Sequence, residues 1–196
     1  VIHNAVDREK YKYSAQKREE IRGSMGITDQ FVIGHVGNFC YQKNHYFLLD
    51  VFEEVHKKDS NTVLLLAGDG VRFEKFRQIV AEKNLEDVVK LLGRRSDTDY
   101  LYQGMDAFLL PSNFEGLPIA GIEAQSAGLP CFMSDEITKE SKITEACYFI
   151  PLKSGAKYWA EEILDNRMER QSAEFLDNAE QYDLANQDQE LKSLIR

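Results

Sequence analysis

Cysteine is scarce in this 196-residue chain: Cys40, Cys131 and Cys147 are odd in number and lack the spacing of metal ligands. A disulfide framework is therefore not expected, and the three read as reduced residues in or near the core of a cytosolic protein. No apolar run approaches the ~18–20 residues that a bilayer span requires, and no signal-peptide pattern is present. Positive charge is in deficit, with 24 Lys and Arg against 33 Asp and Glu and a net charge of −9. This segment alone is not expected to offer a nucleic-acid or anionic-membrane surface, so any basic pocket must be local. Internal repeats and low-complexity segments are missing. His3, His35, His45 and His56 show no metal spacing with the cysteines, and no Ser/His/Asp or Cys/His set stands out as a nucleophilic site. No Gly-x-Gly-x-x-Gly follows the first apolar strand, which argues against a generic dinucleotide-binding domain.

What is present describes one folded domain, 43% hydrophobic and 29% charged, with enough chain to bury a core. Apolar runs and helical periodicities alternate. Strands are expected at 31–36, 62–67, 88–91, 107–110 and 130–133, and helices at 43–57, 71–83, 97–103 and 117–127. The alternation predicts an α/β fold: a Rossmann-like parallel sheet sandwiched by helices, with right-handed crossovers. In such sheets ligands sit beyond the carboxyl ends of the strands. From Ser154 onward the chain turns polar and acidic, with apolar positions Trp159, Ile163, Leu164, Phe175, Leu176, Leu184 and Leu191. A helical C-terminal tail is expected there, either crossing back to a preceding domain or closing as a terminal hairpin. The parts are thus 1–30, a linker and incoming helix; 31–153, the Rossmann-like domain; and 154–196, the C-terminal helices.

The most informative stretch follows the strand at 107–110 and reads Pro111-Ser112-Asn113-Phe114-Glu115-Gly116-Leu117-Pro118-Ile119-Ala120-Gly121-Ile122-Glu123-Ala124. Pro118 suits the first turn of a helix, where its missing N–H costs nothing. Strand, turn and helix start are then aimed at one place, and the free N–H groups and dipole of a helix start form an anion site. A carboxylate beside such a site competes with a phosphate unless it serves a neutral sugar attached to that phosphate. Glu123 lies about 7–8 Å further along the helix among the small residues Ala120, Gly121, Ala124 and Ala127. A carboxylate packed that closely needs hydrogen-bond partners, and a ribose diol is a natural one. The bland alternative makes Glu115 a helix cap and Glu123 a surface residue.

Two glutamates separated by seven residues, in the frame Pro-Ser-x-x-Glu-Gly-Leu-Pro…Glu-Ala…Ala-Gly-Leu-Pro, resemble the signature of the family-four retaining glycosyltransferases, and more closely their bacterial exopolysaccharide and capsule branch. The resemblance runs from about Val1 to Ile150. It implies the C-terminal, donor-binding half of a GT-B fold, with the opening Val-Ile-His-Asn-Ala-Val-Asp leaving the inter-domain linker and an N-terminal domain missing. It also implies an intact cytoplasmic enzyme, possible at the inner membrane face by peripheral contact, that moves a sugar from a nucleotide-diphosphate donor to a glycan or lipid-linked acceptor held by that missing domain. Glu115 is then the catalytic carboxylate and Glu123 the ribose ligand, while the backbone N–H groups of Gly116 and Leu117, ahead of Pro118, meet the leaving diphosphate.

Other points fit the same frame. Gly37 permits a tight exit from the first strand, and Lys43 falls near the next helix start, where a cation meets a diphosphate. The resemblance places an arginine at position 38, where this chain has Asn38; the charged fork is lost and one neutral donor remains. Gly68, in Gly68-Asp69-Gly70, is read as cleft floor or plain turn. Backbone near Gly93 is implied to meet the nucleotide base. Arg94 and Arg95 are left between holding phosphate and capping the helix at Asp97. No cofactor and no metal are expected, and the sequence is read as offering no Asp-x-Asp site to hold one. The rival readings are a nucleotide-sugar epimerase on the same architecture and a catalytically silent binding module.

Overall fold

The computed structural model describes residues 5–186. Its centre is a six-stranded, wholly parallel sheet in the order β3-β2-β1-β4-β5-β6. The strands are β1 Phe31–Val36, β2 Thr62–Ala67, β3 Val89–Leu91, β4 Ala107–Leu110, β5 Cys131–Ser134 and β6 Cys147–Ile150. The helices are α1 Arg8–Tyr11, α2 Ala15–Ser24, α3 His45–Lys58, α4 Phe73–Glu82, α5 Thr98–Gly104, α6 Ile119–Ser126 and α7 Gly155–Asp165. No helix among the described residues is long and apolar enough to cross a membrane.

Alternation along the strands sends consecutive residues to opposite faces, and each face has its own core. Val32, Val63, Leu65, Phe108, Leu110 and Met133 pack with Tyr11, Ile21, Tyr102 and Ile122 of α1, α2, α5 and α6. Ile33, Leu64, Leu66, Leu109 and Phe132 pack with Leu48, Phe52, Phe76 and Trp159 of α3, α4 and α7. The crossovers through α3 and α4 therefore cover one face and that through α6 the other. Right-handed connections require this when the strand order reverses at β1. The reversal opens a crevice between the carboxyl ends of β1 and β4, the switch point at which sheets of this order take ligands.

Four differences from the sequence reading have local causes. The third helix begins at His45 rather than Lys43, because Asn44 adopts the left-handed conformation (φ 54°), which asparagine tolerates; Lys43 is turned out of the helix. The helix after β4 begins at Ile119, with Pro118 as its N-cap. The sixth strand went unread: it follows a loop rather than a helix, and Gln125 pins that loop by accepting from the N–H groups of Ile143 and Thr144 (2.8 and 3.1 Å). The first tail helix ends at Asp165; the chain then runs irregularly to a 3-10 turn at Asp177–Tyr182, pairs with the start of the chain through a parallel bridge between Val6 and Asp183, and is helical again at 184–186. Leu191 lies outside the described residues.

The leading segment is fastened to the sheet by a buried charge cluster. Asp106 accepts from Arg18 at 2.5 Å, from Arg22 at 3.0 Å and from the Val32 N–H at 2.8 Å. Arg22 also donates to the carbonyls of Gly104, Thr28 and Gln30.

Candidate functional site

The loops leaving β1, β2 and β3 are laced together by their glycines. Gly37 donates to the Ala67 carbonyl (3.0 Å) and Gly68 to that of Gly93 (2.8 Å). Gly68 has φ +151°, and a Cβ there would lie 1.9 Å from the Gly37 oxygen, so only glycine lets these two backbones meet. The result is a cleft of about 640 Å³ lined by Gly37, Asn38, Cys40, Gly68, Arg94 and Thr98, among others. Asn38 and Arg94 are exposed on its wall. The arginine question is divided: Arg95 grips Asp97 with two hydrogen bonds of 2.8 and 2.6 Å, whereas Arg94 faces the cleft and, among the described residues, bonds to none.

Beside the cleft, the β1–α3 and β4–α6 loops are joined. Asn113 donates to the carbonyls of Gln42 (2.8 Å) and Tyr41 (2.7 Å). Lys43 Nζ lies 2.5 Å from Glu115 Oε1, both side chains being largely buried, and Ser112 Oγ donates to Glu115 Oε2 at 2.9 Å. The lysine assigned to a diphosphate and the glutamate assigned to a sugar are therefore one ion pair at the β1/β4 switch point. Lys43 Cε would stand 3.3 Å from a Cβ on Gly37, which places the ammonium arm against the cleft floor. Glu115 is engaged by Lys43 and Ser112, not as a helix cap. Gly116 is exposed and Leu117 half-buried in the turn that opens into α6.

Glu123 differs from expectation. Its Oε1 accepts from Tyr11 Oη at 2.6 Å and its Oε2 from Tyr102 Oη at 2.9 Å, so a carboxylate read as waiting for a ribose already holds two protein donors. Both phenols are pushed well above the ordinary tyrosine range, by burial first and by the carboxylate second. Thr98, on the cleft wall, opens the helix that carries Tyr102.

Two histidines underlie the β1 loop. His35 Nδ1 pairs with the Leu109 carbonyl at 2.8 Å, as expected of a structural histidine, while its Nε2 and both nitrogens of His45 have no hydrogen-bond partner among the described residues. Burial holds both imidazoles neutral, His35 near a pKa of about 3 and His45 near about 2. An Asp-x-Asp triplet does occur, at Asp97-Thr98-Asp99, contrary to the sequence reading. Its carboxylates are taken by Arg95 and, at 3.4 Å, by Lys10.

Sequence reasoning missed Ser112, Tyr11, Tyr102 and Thr98. Ser112 had a signal, three residues before Glu115 in the same motif. Tyr11 had none, because it reaches Glu123 across 112 positions.

A family model described as Glycosyl transferases group 1 matches residues 17–183. The chain belongs to this family. Among curated group 1 relatives, the chain is 36% identical over 141 residues to a Bacillus subtilis (strain 168) protein carrying the glycosyltransferase name EpsF, covering 71% of this chain and 37% of that protein. It is 32% identical over 139 residues to the UDP-Gal:alpha-D-GlcNAc-diphosphoundecaprenol alpha-1,3-galactosyltransferase of Escherichia coli, covering 69% of this chain and 36% of that one. The chain thus spans little more than a third of the length of these relatives. In fold it matches Anabaena HepE, solved in complex with UDP and glucose, with a TM-score of 0.82 at 21% identity, over 100% of this chain and 56% of that one.

Proposed function

We propose that this chain is the donor-binding half of a retaining glycosyltransferase that moves a hexosyl or N-acetylhexosaminyl group from a nucleotide diphosphate to a growing exopolysaccharide or capsular glycan. The acceptor, glycan or lipid-linked, would be presented by a further domain on the cytoplasmic side of the membrane. The observation that carries the proposal is the Lys43–Glu115 pair at the mouth of the glycine-floored cleft. With no donor present, the two charges neutralise each other. An arriving diphosphate offers the ammonium a stronger, doubly charged partner. Lys43 shifts to phosphate, and Glu115, still held by Ser112, accepts from hydroxyls of the sugar.

As the bond from the anomeric carbon to the β-phosphate oxygen breaks and the acceptor oxygen bonds to that carbon from the same face, the acceptor hydroxyl proton passes to the departing phosphate oxygen, and negative charge collects on the leaving diphosphate. Lys43 and the amides of Gly116 and Leu117 before α6 meet that charge. Their contribution is electrostatic stabilisation by groups already in place, and the proposal requires no metal ion. Gly93 and Arg94 are assigned to the base and phosphate side of the cleft, and Glu123 to the ribose. Asn38 supplies a neutral donor where a charged one would bind more tightly.

The test is calorimetric titration of the chain with UDP, GDP and ADP. One of the three is expected to saturate. Lys43→Met should weaken that nucleotide by about tenfold or more, the scale of one charge-assisted contact, whereas Glu115→Gln, which releases the ammonium, should not weaken it. Equal losses in both variants would contradict the exchange of partners.

A further inference from the structure

The Glu123 carboxylate is held by two phenols from two different helices. Tyr11 closes α1 and Tyr102 lies within α5; their rings meet edge to face with centroids 5.8 Å apart. Tyr102 is fully buried and Tyr11 nearly so, so neither ring can leave without opening the core. Each hydroxyl carries a single proton, and each gives it to a different oxygen of Glu123. An ionised carboxylate offers about four lone-pair sites. Two are used, one on each oxygen, and one on each oxygen remains. The two that remain match a vicinal diol, whose adjacent hydroxyls can each donate one hydrogen bond to a different oxygen.

The attachment to the cleft runs through α5. Its first residue, Thr98, belongs to the cleft wall, and Tyr102 follows one turn later on the same helix, so the hydrogen bond from Tyr102 to Glu123 starts from an element that lines the cleft, and Tyr11 meets the same carboxylate. Tyr102 has an alternative acceptor in the Ala120 carbonyl at 3.3 Å, but the carboxylate at 2.9 Å is nearer and charged.

We propose that Tyr11 and Tyr102 are positioning residues that fix the plane of the Glu123 carboxylate and reserve one acceptor site per oxygen for the 2′- and 3′-hydroxyls of the donor's ribose. This inference rests on the assignment of Glu123 to the ribose. It adds a specificity consequence: discrimination between ribose and 2′-deoxyribose is set by two tyrosines that touch no ligand. Without one phenol the carboxylate can turn about its terminal bond, and the two acceptor sites no longer face the diol together.

The experiment compares UDP with 2′-deoxy-UDP, by calorimetry, on the wild-type chain and on Tyr11→Phe, Tyr102→Phe and Glu123→Ala. Each variant is first checked for a cooperative thermal melt; the phenylalanine variants retain the buried rings. The wild type is expected to prefer UDP by about five- to tenfold, the scale of one hydrogen bond to a charged group. Glu123→Ala should abolish that preference. Each tyrosine variant should move it most of the way to the Glu123→Ala value while leaving the dissociation constant for 2′-deoxy-UDP nearly unchanged. A general packing defect would weaken both nucleotides by the same factor and leave the ratio intact. That result, or tyrosine variants indistinguishable from wild type, overturns the positioning role and leaves the ribose assignment standing if Glu123→Ala has lost the preference. A Glu123→Ala chain that still discriminates like wild type, or a wild type that binds both nucleotides without preference, overturns both; where GDP or ADP is the nucleotide that saturates, it and its 2′-deoxy form take the place of the uridine pair.

Discussion

His35 and His45 meet edge to face with ring centroids 4.7 Å apart, and His45 stacks on Phe39 at 3.9 Å. Three of their four ring nitrogens have no hydrogen-bond partner among the described residues, which costs a buried neutral imidazole far less than an imidazolium beside Lys43 and Arg72. The consequence is a stability that depends on pH. In the unfolded chain each histidine takes a proton below about 6.5; in the fold His35 does so only near about 3 and His45 near about 2. Between these limits the unfolded state holds more protons, so stability rises with pH and is lost as pH falls below 6.5. Each imidazole contributes a slope of about 1.4 kcal/mol per pH unit inside that window. Urea unfolding at pH 7.0, 6.0 and 5.0 should show the loss, and His45→Phe should flatten it; an unchanged slope would contradict the burial of a neutral ring. At this scale legibility was uneven. Glu115 was legible because its motif is local, but its ion partner was not, since Lys43 is 72 positions away and the two meet only because β1 lies beside β4.

The strands of the interior were readable from their apolar runs, and β1, β2 and β4 fall where the runs are. Strand β6 was not, because Cys147-Tyr148-Phe149-Ile150 lies at the sheet edge with its middle residues half-buried, without alternation and without an α-helix between it and β5 to mark it. The continuity of the tail helix was also misjudged: it stops at Asp165, and Phe175, which follows, lies outside any helix and is exposed. A different device secures α2. Arg18 and Arg22, one turn apart, both reach Asp106 at the start of β4, so a helix with little apolar face is held by charge. Removing one member of a buried charged group leaves the others without compensation, at about 3–5 kcal/mol. Asp106→Ala is expected to lose that much in guanidinium unfolding, and Asp106→Asn, which preserves the Val32 contact, somewhat less. A loss below 1 kcal/mol, in the range of an exposed pair, would show that the cluster is solvated.

Across the whole molecule, the three-layer sandwich and its reversed strand order concentrate every candidate donor contact on one rim, at the carboxyl ends of β1 to β4. The alternation of strands and helices made that architecture legible, and the match to HepE in fold at 21% identity agrees with it. The unforeseen part is the wiring between elements, from Tyr11 through Glu123 to Tyr102, which no local pattern encodes. The cysteines show what the same architecture does to identical side chains. Cys131 and Cys147 face each other across β5 and β6, buried, with thiols driven upward, that of Cys147 to about 12; Cys40 stands half-buried on the cleft wall. Alkylation requires the thiolate, so one equivalent of iodoacetamide should react with the native chain and three in denaturant, and a bound nucleotide should slow the first. Reaction at more than one native site would contradict this ordering. The wild-type chain thus carries a single addressable point at the rim of its cleft, and a fluorophore attached there would report occupancy without any engineered change to the protein.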